Sequence, residues 1–155
     1  MQNSEALIVV LNDLIKINND RVAGYQRAIN ESNDLDVDMK ATFEGMIRES
    51  EQYKQELTAK IRQLGGNVET GTTTSGKIYR TWMDVKATFT GSDRKAILAS
   101  CEYGEDAAKK AYESALSSDA EMDADVRQLI VAQQEALSNS HDHIKKYRDA
   151  HQAVS

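Results

Sequence analysis

No proline occurs anywhere in the 155 residues, where average usage would place about eight. Proline fixes φ, removes a backbone donor and clashes with the preceding helical turn, so helix interiors exclude it. A chain of this length without it can run helix through most of its sequence. The glycines agree, because four of the eight lie between residues 65 and 76 and leave long stretches on either side with few breakers.

Apolar spacing places four helices. From Ser4, a suitable N-cap, the stripe Leu7, Leu11, Leu14, Asn18, Val22, Tyr25 and Ile29 recurs at three and four. After the polar break "SNDLD" comes Met39, Phe43, Met46, Ser50, Tyr53, Leu57, Ile61 and Leu64, ending at Gly65-Gly66, a natural C-cap. Ser92 caps a third stripe of Ile97, Cys101, Glu105, Ala108, Tyr112 and Ala115. Ser118 and Glu121 have capping-box spacing before the fourth, which runs Val126, Ile130, Gln133, Leu137, His141, Ile144 and Arg148. The expected spans are about 4–31, 37–64, 93–117 and 122–151.

Loop lengths then set the topology. The first and second helices, and the third and fourth, are joined by short loops and form antiparallel hairpins. The stretch 65–92 between them is far longer than a bundle hairpin needs. Within it "SGKIYRTWMDVKATF" puts Ile78, Trp82, Val85 and Phe89 on one face, which predicts a short helix over about 76–89. Two antiparallel hairpins joined by one long crossover are the ferritin-like arrangement of an all-α four-helix bundle. The whole of 1–155 is read as one such domain.

Composition excludes several classes. The formal net charge is -6 with basic residues scattered among acids, so the chain lacks the basic face of a nucleic-acid binder. Asn12 and Asp13 interrupt the apolar run of "MQNSEALIVVLNDLIK", which is neither a signal peptide nor a membrane span. A single cysteine, Cys101, fits a reducing, cytoplasmic setting. On the inner stripe without a basic neighbour it reads as a small core residue rather than a nucleophile. Tyr25, Tyr53 and Tyr112 read as packing residues whose hydroxyls need partners, and His143 and His151 as solvated surface.

Two motif look-alikes fail on their own terms. "GTTTSGKI" approaches the phosphate-binding G-x-x-x-x-G-K-[ST] loop, but Ile78 stands where the magnesium-binding hydroxyl belongs and no buried strand precedes it. "DLDVDMKATFEG" opens like a calcium loop, yet Met39 takes the glycine position and Gly45 that of the bidentate acid.

One feature breaks the apolar pattern. Glu105 sits on the inner stripe of its helix, and Asn18, Ser50 and His141 fall near the same transverse layer. A buried carboxylate requires a partner or a proton. Di-iron and di-manganese carboxylate bundles supply a metal partner, using one Glu from each of two helices and Glu-x-x-His from the other two. Glu49, Glu102, Glu105 and His141 are the candidate ligands, with iron or manganese as the metal. The set is incomplete. Gln52 replaces His in Glu49-x-x-Gln52, Ser138 replaces Glu before His141, and the first helix offers Asn18, Asn19 or Asp20. The competing reading is a metal-free polar layer in which Glu105, His141, Asn18 and tyrosines hydrogen-bond and fix helix register.

The segments "LNDLIKINNDRVAGYQRAI", "SGKIYRTWMDVKA", "DRKAILASCEYGEDAAKKAYESAL" and "HDHIKKYRDAH" resemble a bacterial family of ferritin-like four-helix-bundle proteins of unknown function. The resemblance covers nearly the whole chain, and its most distinctive parts are the stretch from Glu102 to Ala107 and the crossover around Trp82. It implies the ferritin-like fold and a cytoplasmic bacterial protein, with no activity attached.

Two function classes follow. The first is a non-enzymatic structural or interaction module. It is expected to be a homo-oligomer, with a dimer favoured, because Ile8, Ile15, Leu98, Leu129 and the apolar face of the crossover add apolar surface beyond one seam. No nucleic acid and no membrane is expected among its partners. The second is a metal-binding oxidoreductase or iron-handling protein built on Glu49, Glu102, Glu105 and His141.

Overall fold

The computed structural model describes residues 2–31, 37–68, 94–118 and 120–154. Every regular element among the described residues is a helix: α1 (Gln2–Glu31), α2 (Val37–Gln63), α3 (Arg94–Leu116) and α4 (Ala124–Val154). At 1.5 Å per residue they are rods of about 35–47 Å. α1 lies against α2 and α3, α3 also lies along α4, and α2 touches α4 more sparingly. No described helix is long and apolar enough to cross a membrane. The short helix expected at 76–89 with Trp82, the phosphate-loop look-alike, the Ser92 cap and the side chain of Arg148 lie outside the described residues. α2 is already helical from Val37, so the segment from Met39 to Gly45 cannot curl into a calcium loop.

The apolar core comes in two clusters. One joins Leu7, Leu11, Leu14, Ile15 and Ile17 of α1 to Tyr53, Leu57 and Ile61 of α2, Ala108, Tyr112 and Ala115 of α3, and Val126, Ile130 and Leu137 of α4. The other joins Tyr25 and Ala28 to Met39, Phe43 and Met46, to Ile97, Leu98 and Cys101, and to Ile144. The first half of α1 thus meets the second halves of α2 and α3, which makes those neighbours antiparallel. α2 finishes beside the first cluster and α3 starts beside the second, so these two helix ends lie at opposite ends of the bundle. Each fully buried Leu or Ile contributes about 1.5–3 kcal/mol relative to exposure. Ile15 and Leu98 are spent inside the bundle, and Ile8 and Leu129 pack against the first cluster. The apolar face expected on the crossover lies outside the described residues.

Helix ends are set by local chemistry. Gly65 has φ 80°, the left-handed conformation that costs other residues a Cβ clash. It closes a Schellman motif in which Gly66 N donates to Ile61 O at 2.9 Å and Gly65 N to Arg62 O at 3.0 Å. α4 is capped by Asp123, whose Oδ1 accepts from Val126 N at 2.8 Å. The expected cap at Ser118 is corrected: its hydroxyl donates back to Ala115 O at 2.8 Å, at the end of α3. Ser4 is corrected as well, because α1 is already helical at Gln2.

Candidate functional site

Between the two apolar clusters the bundle is crossed by buried polar side chains. At their centre is Arg21 of α1, only 1% exposed. Its Nε donates to Glu105 Oε1 at 2.5 Å and its Nη2 to Glu105 Oε2 at 3.3 Å. Nη2 also lies 2.9 Å from Glu49 Oε1, while Nη1 donates to Ser50 Oγ at 2.8 Å and reaches Met46 O at 3.5 Å. A guanidinium carries five N–H donors in a fixed fork, and these five acceptors account for all of them. The pair is bidentate, the strong form of an arginine–carboxylate contact.

The surrounding groups complete the network. Tyr25 Oη donates to Glu105 Oε1 at 2.8 Å. The Tyr25 ring lies 5.6 Å from the Arg21 guanidinium carbon and 5.2 Å from Phe43, within reach of a cation–π attraction. Ser140 of α4 donates to Glu49 Oε1 at 3.0 Å. All four helices therefore contribute. One to two turns away a second network does the same: Asn18 Nδ2 donates to Tyr112 Oη at 2.9 Å, and Tyr112 Oη to Gln133 Oε1 at 2.5 Å. Gln133 Nε2 in turn donates to Glu56 Oε1 at 3.0 Å.

The electrostatics follow from burial. Burial alone would lower the Arg21 pKa, but the adjacent Glu105, Tyr25 and Glu49 more than offset it, and the guanidinium is held protonated. Burial, reinforced by the Glu105 charge, pushes the Tyr25 hydroxyl and the Cys101 thiol well above their ordinary values. Burial also raises Tyr53 and Tyr112. Cys101 therefore stays a thiol and the three tyrosines stay neutral at physiological pH. None of these four groups is activated as a nucleophile or base.

The four expected ligands fall into two groups. Glu49 and Glu105 are both held by Arg21. Glu102 and His141 meet Asp106 instead, with one ligand atom from each of the three within 4.8 Å of the others. His141 Nε2 is 2.8 Å from Asp106 Oδ1. Glu105 bonds a tyrosine, Tyr25, and Asn18 bonds another, Tyr112; the layer expected to include His141 is corrected there, because His141 lies against Asp106. The centre of the bundle does not fit a pair of metal ions. A permanent cation already stands between Glu49 and Glu105 and engages both carboxylates, and the α4 side chain that reaches Glu49 is the Ser140 hydroxyl rather than an imidazole.

Sequence reasoning missed Arg21. Its signal was present: Arg21 lies three residues after Asn18 and four before Tyr25, as compatible with an inward position as Val22. Val22 is in fact only partly buried. Likewise Ser140, not His141, is the inward residue between Leu137 and Ile144.

A mutant of Dps1 from Mycobacterium smegmatis superimposes with TM-score 0.79 at 15% identity, over 95% of this chain and 97% of that one. A ferritin-like, diiron-carboxylate protein from Bacillus anthracis superimposes with TM-score 0.66 at 19% identity, over 94% and 95%. Likeness at such identity carries the fold, which is ferritin-like. No curated protein matches the chain. Residues 6–118 match the family described as "Domain of unknown function (DUF2383)".

Proposed function

The chain belongs to the DUF2383 family, and we propose that it is a non-enzymatic structural module whose central charge site is filled by its own arginine. The reading rests on Arg21. A carboxylate bundle needs a cation between its inward acids, and here the guanidinium supplies that charge with every N–H engaged. Such a centre binds nothing further and turns nothing over. It holds four helices in one register, because a shift of any of them breaks a buried charge-assisted bond. Function then lies on the outer faces, where a second copy is the first partner to test by sedimentation of the full chain.

The test is elemental analysis of purified full-length protein after aerobic loading with Fe(II), Mn(II) or Zn(II) and desalting. Wild type is compared with Glu105→Gln and Glu49→Gln. The expected result is a metal content that neither substitution changes. One or two ions per chain in wild type, lost in both variants, would overturn the reading and make the core a metal centre.

A further inference from the structure

We propose that Glu102, Asp106 and His141 form a binding site for a single divalent cation of the zinc class on the seam between α3 and α4. This site is separate from the arginine-filled core, although each of its key residues adjoins one that is locked there. Glu105 bonds Arg21, so Asp106 turns toward α4. Ser140 bonds Glu49, so His141 turns toward α3. Glu102 and Asp106 are one helical turn apart and share a face. The imidazole comes from the other helix, 35 positions after Asp106 in the sequence. Three ligands from two rigid rods are thereby delivered to one point by the packing of the core, without a loop.

The chemistry of the set is that of a metal site rather than of a purely acidic patch. One imidazole with two carboxylates suits zinc and its first-row neighbours. Ligand atoms about 2.0–2.2 Å from a tetrahedral ion stand roughly 3.3–3.6 Å from one another. The spacings here, from 2.8 Å between His141 and Asp106 up to 4.8 Å across the group, bracket that range. His141 is 13% exposed, and its Nδ1 lies 3.4 Å from Asp142 Oδ1, the kind of outer carboxylate that orients a ligating ring. Asp106 is 51% exposed, so an ion could enter from solvent and keep a water as its fourth ligand.

The test is titration of metal-free full-length protein with Zn(II) by calorimetry, and with Co(II) by visible absorption, which reports coordination number and geometry. Wild type is compared with His141→Ala, Asp106→Asn, Glu105→Gln and the neighbouring surface variant His143→Ala, each checked for helicity by circular dichroism. One ion per chain is expected, with affinity at least tenfold weaker in His141→Ala and Asp106→Asn and unchanged in His143→Ala. Loss in His141→Ala with retention in Glu105→Gln separates this site from a core metal centre. If binding is absent, or survives both His141→Ala and Asp106→Asn, the three residues are an ordinary hydrogen-bonded seam and the proposal fails.

Discussion

Arg21 and Glu105 meet side-on across the bundle, two nitrogens against two oxygens at 2.5 and 3.3 Å, and both are sealed from solvent. Removing two charges from water costs several kcal/mol each, and their attraction repays it only when the remaining donors and acceptors are also satisfied. Ser50, Met46 O, Glu49 and Tyr25 meet that condition here.

Breaking this pair from one side should therefore cost far more than removing both partners. Arg21→Met leaves Glu105 buried without its counter-ion and is expected to lose about 3–5 kcal/mol; Glu105→Leu should lose less, because Arg21 keeps Glu49 at 2.9 Å. The double variant Arg21→Met/Glu105→Leu should be more stable than either single one. Urea midpoints of the four proteins form the cycle, and additive losses would show that the two residues do not act as a pair.

Alkaline pH should unfold the chain earlier than its surface charges imply. Tyr25, Tyr53, Tyr112 and Cys101 all have folded pKa values raised by burial, whereas unfolded tyrosine and cysteine titrate near about 10 and about 8.5. The unfolded chain then releases protons that the native one keeps. This contribution to stability is complete below about pH 8.5 and is lost as pH rises past the unfolded values, at up to about 1.4 kcal/mol per pH unit for each group. Denaturation midpoints from pH 7 to 11 would reveal the slope, and the part of the tyrosinate absorbance that belongs to Tyr25, Tyr53 and Tyr112 should rise only with unfolding. A flat profile to pH 11 would contradict the burial.

Tyr112→Phe keeps the ring and deletes only the hydroxyl that links Asn18 to Gln133. Two buried polar groups lose a partner, so a loss of about 1–3 kcal/mol is expected. Gln133→Leu in the same background should restore part of it. Thermal melts of wild type and the two variants decide this, and a neutral Tyr112→Phe would mean that water or a rotated amide replaces the bond.

The two glycines after α2 should fail for different reasons. An alanine at Gly65 must hold φ 80° and should cost about 1–2 kcal/mol. An alanine at Gly66 would place its Cβ 2.8–3.0 Å from three side-chain atoms of Ile8, a β-branched residue with little rotamer freedom. Ile8→Ala should therefore largely suppress the destabilisation caused by Gly66→Ala and leave that of Gly65→Ala untouched. Equal suppression of both would remove the steric explanation.

The helices could be read from the sequence because their signals are local. Absent proline, apolar residues every three or four positions and Gly65 as a stop each act within a turn or two, and α2 ends where the sequence says it should. Glu105 could also be read as buried, since no apolar residue competes for its place between Cys101 and Ala108. Which cation or donor it would meet could not. After Asn18 the stripe can continue at Arg21 or Val22, and after Leu137 at Ser140 or His141. A period of 3.6 allows either spacing, and hydrophobicity favours Val22, while chemistry draws attention to His141. Only the rotation of α1 and α4 against their neighbours resolves the choice. It turns Arg21 and Ser140 inward and leaves His141 on the seam. That rotation is set by packing four faces at once, from residues as far apart as 21 and 105, and no window on the sequence contains it.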